Sequence, residues 1–240
     1  MTAEVLGVRF DGLTLETAVE RALSLMAARQ SAYVCTPNPE IVWGCGKDAA
    51  LRAAVTGADM TLADGVGVVW ASRVLGTPLP ERVAGYDFLL ALLARLEGTV
   101  FLLGGRPGVA EKAAETIEDR FPKVTVTGCR DGYFKGSDEI LQAVRKAAPD
   151  LLVVCLGSPK QELWMAENRA KFSVGLMAGL GGSLDVLAGL ERRAPERWIR
   201  LHLEWLYRLM HHPGRIRRQI RLPLFVLAVL GQRIKKEGLR

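Results

Sequence analysis

Residues 151–162 read LLVVCLGSPKQE, and this stretch decides the fold. Six residues of the run 151–156 are apolar without a break; Gly157, Ser158 and Pro159 then end it, and Lys160, Gln161 and Glu162 open an amphipathic stretch at 159–170. A strand with one wet face alternates apolar and polar residues, whereas a run that is apolar throughout suits a parallel strand covered on both faces. The same order recurs at 99–103, where the apolar run leads through Gly104 and Gly105 into a helical pattern at 107–120. Outward from these two units, 32–35, 60–62, 124–127 and 173–178 read as further buried strands, and 15–29, 65–75, 84–96 and 137–147 as further helices. This alternation predicts an α/β protein: a Rossmann-like, largely parallel sheet with helices on both faces.

The charge is not spread evenly over the 240 residues. From 191 to 240 there are 13 Lys/Arg against 4 Asp/Glu, and in the first 190 residues 19 against 22. The formal net charge of +6 therefore belongs to a basic C-terminal segment on a nearly neutral body. That segment mixes its arginines with Trp, Tyr, Leu and Phe, so its expected partner is both anionic and apolar: a membrane surface or a lipid-linked phosphate. Its longest apolar run, 222–230, has nine residues. A spanning helix needs about 20, so this run is expected to lie on a bilayer rather than cross it. The predicted division is an α/β catalytic core at 1–194 and an amphipathic, basic helical appendage at 195–240, with Pro195 at a helix start and a second break at His212-Pro213-Gly214. Four cysteines without a CxxC pair and three histidines confined to the tail argue against a structural zinc site or a disulfide framework. No secretory signal pattern opens the chain, so the expected place is the cytoplasm, peripheral on the inner face of the membrane. Nucleic acid is not an expected partner: the tail lacks RNP, KH and zinc-finger patterns, and the body is net negative.

Ligands of open α/β sheets bind beyond the carboxyl ends of the strands. After the first predicted strand stands Thr36-Pro-Asn-Pro-Glu40, where Thr36 and Asn38 either cap the next helix or face a ligand. After the second, Asp64 is either a helix N-cap or a carboxylate aimed into the cleft, able to take a proton from a substrate hydroxyl. Gly104 and Gly105 follow the third; they form a plain turn or bring backbone N–H groups to a phosphate. Gly157, Lys160, Gln161 and Glu162 follow the fifth, as a solvated first turn or as substrate contacts. Gly181 and Gly182 follow the sixth in a second Gly-rich turn, and two such turns on neighbouring strands suggest one shared phosphate or sugar site. Arg82 stands in a loop before a helix; it binds a phosphate or carboxylate, or pairs with Glu81 or Asp87. Tyr133 packs or stacks on a base.

The motifs and their order resemble the bacterial WecG/TagA/CpsF glycosyltransferase family. The matching pieces are TPNPE (36–40), ADGVGVVW (63–70), PERVAGYD (80–87), FLLGG (101–105), GSPKQE (157–162), GGSLDVLAG (181–189), RAPERW (193–198) and EWLYRL (204–209). The resemblance implies a membrane-associated, inverting glycosyltransferase with no metal and no cofactor. Its expected partners are a UDP-sugar donor and an undecaprenyl-diphosphate-linked N-acetylglucosamine acceptor, with N-acetylmannosamine the sugar moved, as in teichoic-acid linkage-unit synthesis. UDP-glucose or a uronic acid donor is the alternative within the family, and a non-catalytic nucleotide- or lipid-phosphate-binding module the alternative outside it. It also implies that the appendage completes the active site; homo-oligomer formation stays open.

With that resemblance in hand, Asp64 is the candidate general base. Thr36 and Asn38 would orient sugar hydroxyls or the donor phosphate, Gln161 would hold a sugar, and Lys160 and Glu162 would touch the donor. Gly104, Gly105, Gly157, Gly181 and Gly182 would bring backbone to the nucleotide, with Tyr133 beside it. No Asp-x-Asp metal motif occurs. Arginine would then stabilise the departing diphosphate, from Arg82 and, following the family's pattern in the tail, from Arg208, Arg215 and Arg218.

Overall fold

The computed structural model describes residues 2–171, 173–201, 203–211 and 221–238. Six strands form one all-parallel sheet: β3 (Ala32–Cys35), β4 (Met60–Thr61), β5 (Gly98–Gly104), β6 (Val124–Arg130), β7 (Leu151–Cys155) and β8 (Leu176–Gly179), in the order β4-β3-β8-β7-β5-β6. Successive side chains alternate between the two faces. Val34, Leu102, Val153 and Ala178 join one buried cluster, and Tyr33, Phe101, Val154 and Met177 another. This is why the runs at 99–103 and 151–156 show no polar alternation: both faces are covered.

The first cluster is closed by α1 (Leu15–Ala28), α5 (Gly85–Arg95), α6 (Val109–Arg120) and α9 (Ser183–Leu187), through residues such as Val19, Phe88, Ile117 and Leu184. The second is closed by α7 (Asp138–Ala147) and α8 (Lys160–Asn168), through Ile140, Val144, Trp164 and Met165. A third cluster was not foreseen. It joins an antiparallel hairpin, β1 (Thr2–Val5) and β2 (Val8–Asp11), to α2 (Pro39–Cys45), α3 (Ala49–Thr56) and α4 (Val66–Val74). The hairpin turns at Leu6-Gly7, with φ of 51° and 80°, the positive values a two-residue hairpin loop requires. Ala3, Val5, Val8 and Phe10 point inward while Glu4 and Arg9 stay outside, an alternation too short to stand out along the chain. The expected strand at 173–178 is shifted to Leu176–Gly179. Gly175 N donates to Pro149 O instead.

The tail contributes α10 (Glu196–Arg200), capped by Pro195 as expected of a helix start, α11 (Glu204–His211) and α12 (Arg221–Gly238). Phe225 and Val229 of α12 are 1% and 0% exposed and belong to the third cluster. Gln232 Oε1 accepts from Leu6 N at 3.0 Å, and Lys236 Nζ donates to Leu75 O at 3.1 Å. The last helix is thus packed against the hairpin and α4. Among the described residues, no helix is long and apolar enough to cross a membrane.

Candidate active site

Parallel pairing brings the carboxyl ends of β4, β3, β8, β7 and β5 into one row. At the β3 end, Cys35 lies opposite Gly179 of β8, and Thr36 Oγ1 donates to Gly179 O at 2.9 Å. Thr36 is 7% exposed. Its proton is committed to the neighbouring strand, so toward a ligand its hydroxyl acts as an acceptor. Asn38 does what its position before a helix suggests: Oδ1 accepts from Ile41 N at 3.0 Å and caps α2, with Pro39 at the first helical position.

Asp64 is not a helix cap. The N-cap of α4 is Gly65, at φ 143°, with no side-chain cap bond. The Asp64 N–H donates to Pro37 O at 3.2 Å, tying the β4 end to the TPNPE loop. Its carboxylate instead faces the start of α5, where Oδ2 accepts from Gly85 N at 3.3 Å. A helix N-terminus favours a carboxylate. Gly85 keeps this corner tight: a Cβ there would lie 3.3 Å from Thr36 Oγ1 and 3.7 Å from Asp64 Oδ2. Thr36, Asp64 and Gly85 therefore share one corner, though they come from three separate elements.

Arg82 stands at the same corner. Its ion pairs are not with Glu81 or Asp87, which make their own contacts elsewhere, although the Asp87 charge also acts on it. Glu81 Oε1 accepts from Leu15 N at 2.5 Å, and Asp87 pairs with Arg193 Nη2 at 2.5 Å. Arg82 Nη2 donates to Glu204 Oε2 at 2.8 Å and lies 3.5 Å from Asp64 Oδ1. Burial opposes the charge on Arg82, but Asp64 and Glu204 outweigh it and hold the guanidinium above its ordinary pKa. Its Nε is buried without a hydrogen-bond partner among the described residues.

Glu204 comes from α11 and is 7% exposed. Sequence reading passed over it, although it stands inside the EWLYRL piece. The available signal was its sign: it is one of only four acids in a segment with 13 bases. Of the tail arginines, Arg215 and Arg218 lie outside the described residues, and of Arg208 only the backbone, within α11, is described.

At the β7 end, Gln161 is 3% exposed and both ends of its amide are engaged. Oε1 accepts from Gly181 N at 3.0 Å, and Nε2 donates to Glu162 Oε1 at 2.9 Å. Gln161 thereby links the first turn of α8 to the loop after β8. Glu162 lies behind it, 1% exposed, and its Oε2 has no hydrogen-bond partner among the described residues. Burial raises the Glu162 pKa above its ordinary 4.5, against the opposing hydrogen bond from Gln161. Lys160 turns toward the loop after β6, where Nζ donates to Gly132 O at 2.8 Å and sits 4.3 Å over the Phe134 ring. In that loop Tyr133 is 73% exposed, while its N–H donates to Asp131 Oδ1.

The glycines divide into two kinds. A Cβ on Gly104 would fall 2.2 Å from Cys155 O, and one on Gly105 would fall 2.7 Å from Val109. Close packing within the protein accounts for both. Gly157 and Gly181 have positive φ and open space where a Cβ would stand, and Gly182 has only Asp185 Oδ2 nearby, at 3.8 Å. These three lie beside Gln161, so the backbone open to a ligand is at the β7 and β8 ends. Burial pushes the thiols up, Cys35 well above the usual range, Cys45 and Cys129 to about 11 and Cys155 to about 12, which leaves no thiolate nucleophile at neutral pH. Among the described residues, no three His, Cys, Asp or Glu side chains form a metal-ligand set.

The profile of the "Glycosyl transferase WecG/TagA/CpsF family" matches residues 3–238. An N-acetylglucosaminyldiphosphoundecaprenol N-acetyl-beta-D-mannosaminyltransferase of Bacillus spizizenii is 38% identical over 204 residues, 84% of this chain and 79% of its own. Proteins of the same name are similar in Bacillus subtilis, at 35% over 86% of this chain and 82% of theirs, and in Staphylococcus aureus, at 34% over 97% and 94%. The match runs from the hairpin through the last helix and takes in every strand end described above. The chain belongs to the WecG/TagA/CpsF glycosyltransferase family.

Proposed function

We propose that this protein transfers N-acetylmannosamine from UDP-N-acetylmannosamine to undecaprenyl-diphosphate-linked N-acetylglucosamine, with inversion at the anomeric carbon. The observation that carries the chemistry is the Asp64 carboxylate, turned away from its own helix toward the α5 N-terminus and Arg82. The activity for which the relatives are named supports the choice of substrates. The acceptor hydroxyl oxygen attacks the anomeric carbon as its proton passes to Asp64. The bond from that carbon to the β-phosphate oxygen breaks, and its electron pair leaves with UDP.

Thr36 accepts a hydrogen bond from a sugar hydroxyl, Asn38 holds the sugar beside it, and Gln161 acts through the Gly181 backbone that it fixes. The nucleotide lies over Gly157, Gly181 and Gly182, with Tyr133 at its edge. Arg82 and the tail arginines Arg208, Arg215 and Arg218 take up charge on the departing diphosphate without a metal. The appendage meets the inner membrane surface through α12. Leu227 and Ile234 are exposed on the face opposite Phe225 and Val229, with the exposed Leu224 and Leu230 beside them and the exposed Arg233 and Lys235 flanking. Each basic residue near an anionic bilayer adds about 1 kcal/mol.

The test is UDP release from UDP-N-acetylmannosamine with a short-chain lipid-diphosphate N-acetylglucosamine, with and without EDTA, for the wild type and Asp64→Asn. Turnover is expected to survive EDTA and to fall by about 100-fold or more in the variant, the usual worth of a general base. Loss of turnover in EDTA, or an Asp64→Asn enzyme as fast as wild type, overturns the mechanism. Release from UDP-glucose alone changes the donor and leaves the mechanism in place.

A further inference from the structure

We propose that Glu204 is a positioning residue: from α11 it holds Arg82, and so sets how tightly Arg82 grips the candidate base Asp64. The inference rests on the transferase reading above. It starts from unequal distances within one cluster. Arg82 Nη2 is 2.8 Å from Glu204 Oε2, a hydrogen bond, but 3.5 Å from Asp64 Oδ1. The second separation is an ion-pair contact, longer than the roughly 2.7–3.2 Å usual for an N–H···O bond.

The side chains of Arg82 and Glu204 are 18% and 9% exposed, so their attraction is little screened by solvent. A partly buried cation stripped of one carboxylate draws in whatever anion remains near it. For Arg82 the nearest such anion is Asp64, at 3.5 Å; Asp87 also acts on it but is paired with Arg193. A closed Arg82–Asp64 pair would tie up the carboxylate that has to receive the acceptor's proton. Glu204 therefore works as a counterweight, keeping Arg82 charged and in place without letting it seize the base. It lies 122 residues from Arg82 along the chain, at the start of α11. Readiness of the base is thereby coupled to docking of α11.

The experiment measures kcat and KM for donor and acceptor in wild type, Glu204→Gln, Glu204→Asp, Arg82→Ala and the Glu204→Gln/Arg82→Ala double variant. Glu204→Gln keeps the shape and an acceptor oxygen while removing the charge, so the fold is expected to match wild type. Its kcat is expected to fall by about 10- to 100-fold, the scale of a misplaced catalytic group, with donor KM little changed. Glu204→Asp, which restores the charge at shorter reach, is expected to recover part of the loss. In the Arg82→Ala background the Glu204→Gln penalty should vanish, since the effect passes through Arg82. A wild-type kcat in Glu204→Gln, or the same fractional loss in both backgrounds, overturns the proposal while leaving the transferase reading intact. A wild type without turnover from any UDP-sugar overturns the transferase reading and this inference together.

Discussion

At the scale of single residues, Asn38 and Asp64 follow β3 and β4 and turn their side chains to different helices. Asp64 and Asn38 are both short polar residues just before a helix. Asn38 caps its helix, whereas Asp64 is followed by Gly65, which takes the cap position and leaves the carboxylate to Gly85 and Arg82. No local rule separates the two cases, because the difference lies in where α5 begins in space. Glu162 is the reverse case: an acid in a polar first turn looks solvated, yet it is buried behind Gln161. Its raised pKa gives a signed prediction. The native state holds the Glu162 proton to higher pH than the unfolded chain does, so its contribution to stability is largest below the ordinary 4.5 and declines as pH rises through the folded value. Urea unfolding of Glu162→Gln should therefore lose less stability than wild type between mildly acidic and neutral pH. Parallel pH profiles for the two proteins would rule this out.

At the scale of elements, the parallel strands were legible because burial on both faces leaves them wholly apolar. The β1–β2 hairpin and α2 and α3 were not. Each is short, and each draws its stability from the third hydrophobic cluster rather than from its own pattern. That cluster is completed by α12 from the far end of the chain. Phe225→Ala should cost about 3–5 kcal/mol, the range for a fully buried phenylalanine, measured by denaturant unfolding. A loss below about 1 kcal/mol would mean that α12 is not packed on the body in solution.

At the scale of the whole molecule, α12 is asymmetric: Phe225 and Val229 anchor one side, and the opposite side shows Leu227 and Ile234 at 65% and 69% exposure. If that side meets the membrane, Leu227→Glu/Ile234→Glu should keep the wild-type unfolding midpoint but sediment with anionic phosphatidylglycerol vesicles at least about tenfold more weakly, since two apolar contacts become charges facing anionic lipid. Sedimentation equal to wild type would place the lipid contact elsewhere. The charge division along the chain also takes on a second meaning at this scale. The basic tail also carries an acid, Glu204, back to a partly buried arginine of the body.

Composition and order along the chain determined the α/β class, the strands that build the parallel sheet, the basic tail and the family, because these depend on periodicity, net charge and motifs that are local. Sequence also put the candidate residues at the strand ends, since each βα turn follows its strand directly. Only the tertiary structure decided which of them share a corner. The Thr36–Gly179, Asp64–Gly85 and Arg82–Glu204 contacts span 143, 21 and 122 residues. Contacts of that reach are set by how the helices pack over the sheet, and burial, not residue type, then determines whether a polar side chain caps a helix, supports a neighbour or faces a substrate.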